Sequence, residues 1–132
     1  MRKRVLIADD DLKVREAMKA FLAGGTDVEV CGEAANGLEA VEKARTLKPD
    51  LVVLDLAMPE MNGAEAASVL KKRMPKLPII LFTMFGDNIG RYLTAATGVD
   101  VVVSKPDGVA MLAESVNAAL SLLSDPIDKK GS

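Results

Sequence analysis

The stretch LVVLDLAMP, Leu51 to Pro59, is apolar at every position but one. A strand buried on both faces reads as a near-continuous apolar run, as in the middle of a parallel sheet. Its single carboxylate, Asp55, stands where that run ends. An ionised carboxylate is rarely buried without a partner. The fold around this strand and the compensation of that charge are therefore one question.

Strand-like and helix-like segments alternate on both sides of it. RVLIA (Arg4 to Ala8) is a short apolar strand. Asp11 then offers the cap of a helix in which Val14, Ala17, Met18, Phe21 and Leu22 recur at helical spacing until Gly24-Gly25. DVEVCG (27–32) is a second strand. Asn36, with Glu39 three places on, resembles a capping box for a helix carrying Leu38, Val41 and Leu47. After the Leu51 strand, Asn62-Gly63 turns into a helix with Ala64, Ala67 and Leu70 on one face, closed near Pro75. LPIILFT (77–83) is strand four, Asp87 to Thr97 a fourth helix, and VDVVVS (99–104) strand five. Val109, Leu112, Val116, Leu120 and Leu123 stripe a last helix, so the folded unit is expected over 1–123, with 124–132 a polar tail or linker. The apolar stripes and the methionines read as core.

Five strand–helix units in series imply an α/β fold, a parallel sheet with helices on both faces, because right-handed crossovers place them so. In open sheets of this kind ligands bind beyond the carboxyl ends of the strands.

Composition narrows the chemistry. The 132 residues are 49% hydrophobic and 27% charged, enough for one domain with a proper core. A net charge of -2 with scattered Lys and Arg gives no nucleic-acid footprint. No apolar run is long enough to span a membrane, which points to the cytoplasm. The single cysteine, Cys31, excludes a disulfide framework and reads as a small buried hydrophobe. The chain has no histidine, which removes serine–histidine and cysteine–histidine hydrolysis and histidine-bound zinc.

The strand ends hold a non-random set. Strand one ends in Asp9, Asp10 and Asp11, strand three in Asp55, strand four in Thr83 and strand five in Lys105-Pro106. With strands one and three adjacent, Asp9, Asp10 and Asp55 converge. Carboxylates so placed raise one another's pKa unless a cation neutralises them. Oxygen ligands with room for water suit magnesium. Lys105 and Thr83 add a cation and a hydroxyl donor, the parts that clamp a transferring phosphoryl group.

The set ADD after strand one, LDLAMPEMNG around Asp55, Thr83, Gly98 and Lys105-Pro106 resembles the receiver domain of two-component response regulators over nearly the whole chain. The resemblance implies a flavodoxin-like, doubly wound five-stranded sheet of order 2-1-3-4-5 with five helices. It implies that Asp55 accepts phosphate from a phosphohistidine of a sensor histidine kinase. Asp10, Asp55 and the Ala57 carbonyl would bind magnesium directly, and Asp9 would act largely through water. Lys105 would pair with the carboxylate and then with phosphoryl oxygens, with a cis Lys105-Pro106 bond, and Thr83 would hydrogen-bond the phosphoryl group. A homodimer through the face of helix four, strand five and helix five is implied as well. VEVCGEAANGLEAVEKA and DLAMPEMNGAEAA look like the receiver of regulators that carry a C-terminal helix-turn-helix DNA-binding domain, while this chain itself is expected not to bind nucleic acid.

Two positions depart from that pattern. Val102 stands where an aromatic ring usually swings on activation, and Met84 follows Thr83 where a small residue is usual and is expected to crowd the pocket. Two other readings compete with the signalling switch. One is an aspartyl-phosphate phosphatase or phosphotransferase, whose usual acid two residues after the nucleophile is here Ala57. The other is a docking module independent of phosphorylation.

Overall fold

A computed structural model of the chain describes residues 2–25, 27–84, 86–105 and 108–124. The elements follow in the order β1 (Lys3–Ala8), α1 (Leu12–Gly25), β2 (Val28–Ala34), α2 (Gly37–Leu47), β3 (Leu51–Leu54), α3 (Gly63–Arg73), β4 (Ile79–Thr83), α4 (Gly86–Thr97), β5 (Val101–Ser104) and α5 (Gly108–Ser124). The five strands are parallel, in the order β2-β1-β3-β4-β5. This is the flavodoxin-like sheet that the receiver-domain resemblance implies. Pro106, the Leu123 side chain and residues 125–132 of the tail lie outside the described residues, and with them the expected cis bond.

Alternation along the strands builds two cores. Leu6, Ala8, Val52, Leu54, Ile79 and Leu81 face α2, α3 and α4, whereas Val5, Ile7, Leu51, Val53, Ile80 and Phe82 face α1 and α5. Every residue of β3 is fully buried. That is why its sequence shows no alternation.

The helix stripes need correction. α1 buries Met18 and Leu22, but Ala17 is exposed and Phe21 is 48% exposed. α2 buries Gly37, Ala40 and Ala44, leaving Leu38 51% exposed. Small side chains let α2 lie close to the sheet, so its buried stripe is the less hydrophobic one. Met84 and Met111 are also largely exposed rather than core.

The caps are partly as expected. Asp11 Oδ1 accepts from the Lys13 amide at 2.9 Å at the start of α1. Asn36 Oδ1 accepts from the Glu39 amide at 2.8 Å, but Glu39 reaches back to the Ala35 amide, one residue beyond a reciprocal box. The full capping box is instead Asn62 with Glu65, at the start of α3. Cys31 sits at a register shift in the β1–β2 ladder, half-buried at the sheet edge.

Candidate functional site

Register brings the strand ends together. Ala8 lies opposite Leu54, the Asp55 amide donates to the Ala8 carbonyl at 2.9 Å, and the Asp9 amide donates to the Ala34 carbonyl at 3.0 Å. Asp9 and Asp55 therefore leave neighbouring strands at the same level, both buried, while Asp10 stands exposed at the rim. The three carboxylates bring oxygens within 4.8 Å of one another.

Lys105 follows β5 and reaches back into this cluster. Its Nζ lies 2.8 Å from Asp9 Oδ2 and 3.3 Å from Asp55 Oδ1, and 6.0 Å from the centre of the Phe82 ring. Three carboxylates against one ammonium leave negative charge uncompensated. Burial, then the Asp9 charge, push the Asp55 pKa up to about 6, although Lys105 works the other way. Burial disfavours the Lys105 charge too, yet Asp9 and Asp55 outweigh it and hold its pKa above the usual lysine value. A divalent cation at these oxygens would offset the excess charge, so the donor set fits magnesium.

Thr83 closes β4 beside Ser104, its register partner on β5, and both are buried. Met84, after Thr83, is 59% exposed. Val102 lies under Gly90 of α4, where an added Cβ would sit 3.7 Å from the Val102 Cβ.

Two contributors escape a sequence reading. The Gly63 amide donates to the Leu56 carbonyl at 2.8 Å, and a Cβ on Gly63 would lie 2.1 Å from the Asp55 carbonyl oxygen. The sequence presents this glycine only as turn chemistry. Arg15, on α1, donates from Nη1 to the Asp9 carbonyl at 2.7 Å. It is one of 17 basic residues, and its helical position alone does not mark it.

The sequence model of the response regulator receiver domain matches residues 5–117. The chain belongs to that family. Response regulator protein VraR of Staphylococcus aureus is 37% identical over 116 residues, which are 88% of this chain and 56% of that protein. The chain thus spans little more than half the length of the curated relatives it matches. The response regulator domain of Thermotoga maritima CheB superposes with a TM-score of 0.81 at 29% identity, covering 92% of this receiver and 96% of that chain. A LuxR-family two-component response regulator from Aurantimonas sp. SI85-9A1 gives 0.84 at 30% identity, over 92% and 86% of the two chains. A DNA-binding response regulator of the LuxR family from Staphylococcus aureus gives 0.81 at 28%, over 88% and 97%. Receiver-domain membership makes this a signalling unit of two-component systems. Among its described residues no helix is long and apolar enough to cross a membrane.

Proposed function

We propose that Asp55 is the phosphoacceptor of this receiver. The observation that carries the reading is a buried, strand-terminal carboxylate held 3.3 Å from a lysine that also contacts Asp9. An Asp55 oxygen attacks phosphorus as the phosphorus–nitrogen bond of a phosphohistidine on a sensor histidine kinase breaks. An acyl phosphate forms on Asp55, and the donor imidazole leaves. Lys105 neutralises charge on the phosphoryl oxygens, and Thr83 supplies a hydroxyl donor. Magnesium would be held by Asp10, Asp55 and the Ala57 carbonyl, with Asp9 assisting, and would supply charge neutralisation when bound. Ala57, exposed two residues beyond Asp55, offers no acid for turnover of outside substrates, which favours a switch over a phosphatase.

The output of the switch is a changed association on the face of α4, β5 and α5, with a second copy of the chain as the first partner. The likeness to LuxR-family regulators supports a place for this receiver ahead of a DNA-binding domain that makes the nucleic-acid contacts, in the cytoplasm.

Incubation with magnesium and a small acyl phosphate, or with a cognate kinase, should add one phosphoryl group, seen by intact-protein mass spectrometry. Asp55→Ala should abolish the addition. Phosphoryl incorporation that survives this change overturns the assignment.

A further inference from the structure

We propose that Arg15 is a positioning residue for the acidic cluster, holding the peptide plane from which the Asp10 carboxylate projects. This inference rests on the magnesium reading above. The Asp9 carbonyl belongs to the rigid, planar Asp9–Asp10 peptide unit, so fixing that oxygen fixes the direction in which the Asp10 Cα leaves the strand. Arg15 Nη1 donates to that oxygen at 2.7 Å, while its Nε donates to Glu33 Oε1 at 2.9 Å. A planar guanidinium makes both bonds at once from one orientation.

Glu33 is in turn held. Lys19 Nζ lies 2.7 Å from Glu33 Oε2, and Lys43 donates to the Glu33 backbone carbonyl. The network thus ties α1 and α2 to the edge strand β2, and Arg15 carries it across to the site. The Arg15 side chain is 16% exposed, the least exposed of the charged side chains in this network. From the other side, the Asp11 amide donates to Asp9 Oδ1 at 2.9 Å, so the turn after β1 is fastened through a carboxylate and a carbonyl. Asp10 itself is exposed and has little packing of its own to orient it. Its aim must come from the backbone.

Charge and geometry make opposite predictions here, which gives the test its edge. Removing a cation bonded to the Asp9 carbonyl should, by Coulomb's law alone, tighten magnesium binding at the neighbouring carboxylates. Loss of the bond that sets the Asp9–Asp10 peptide should weaken it, on the order of tenfold, as for other outer contacts that orient metal ligands. Magnesium titrations by calorimetry on the whole chain, with thermal midpoints taken without the metal, would compare the parent with Arg15→Met, Lys19→Ala and Asp10→Asn. Arg15→Met should raise the magnesium dissociation constant, while Lys19→Ala, which removes a Glu33 partner but leaves the Asp9 contact, should not. Equal or tighter binding by Arg15→Met, or an equal loss in Lys19→Ala, overturns the positioning role. Should Asp10→Asn bind magnesium as the parent does, the magnesium reading itself fails, a result that does not depend on Arg15.

Discussion

Without added magnesium, raising the pH through about 6 puts a negative charge on the buried Asp55 beside Asp9. The ordinary carboxyl value is 3.8 and the folded value about 6. Below 3.8 both the folded and the unfolded chain hold the proton; between 3.8 and about 6 only the folded chain keeps it. Stability contributed by this group therefore falls as pH rises through that window, by ~2–3 kcal/mol, and is flat above it. Urea unfolding from pH 4 to 8 checks the sign: Asp55→Asn should lack the decline and exceed the parent in stability at the upper end. Added magnesium should recover most of the loss in the parent and little in the variant, since only the folded carboxylate cluster binds it. A parent that gains stability from Asp55 as pH rises would contradict the charge arrangement described.

At the scale of elements, the site depends on how closely α3 approaches the end of β3. Gly63 opens α3 with a Cβ-free contact to the Asp55 carbonyl. Gly63→Ala should force that backbone apart, costing ~1–3 kcal/mol and slowing phosphorylation of Asp55. Gly90, inside α4, is the contrast, because an added methyl would meet Val102 only at ordinary contact distance. Gly90→Ala should stabilise by ~0.5–1 kcal/mol, since glycine inside a helix carries an entropic cost. Denaturant midpoints of the two variants should move in opposite directions. These elements also show where the sequence is transparent. The meeting of Asp9, Asp10, Asp55 and Lys105 is readable because each stands at the end of an apolar strand, and strand order then decides which ends meet. The alternation of strands and helices suffices for a parallel sheet, whereas its order, β2-β1-β3-β4-β5, is implied only by the family resemblance. Spacing does not show that α2 packs through Ala40 and Ala44 while Leu38 faces outward, since apolar stripes of small and large residues look alike in period. Nor does it show Gly63 touching Asp55 or Arg15 reaching Asp9, because both contacts are set by tertiary approach.

For the molecule as a whole, the question is how a phosphoryl group on Asp55 would alter a distant face. It would add negative charge and three acceptor oxygens between Lys105 and Thr83, the ends of β5 and β4. Val102, under α4, has no ring to swing, and a β-branched side chain has few rotamers to exchange. Its neighbour on the helix is Gly90, which offers no side chain to push. A side-chain relay along β5 is thus poorly provided for. Backbone movement from Thr83 into the start of α4 is the simpler route to the surface where Tyr92 is 71% and Met111 44% exposed. On that account Val102→Ala should leave the response largely intact, and Thr83→Ala should weaken it, because the hydroxyl proposed to meet the phosphoryl group is gone. The check is association state by light scattering, with and without a beryllofluoride phosphoryl mimic, for the parent and both variants. If Val102→Ala abolishes the response while Thr83→Ala keeps it, the signal travels along β5 through side-chain packing after all, and the loop route is wrong.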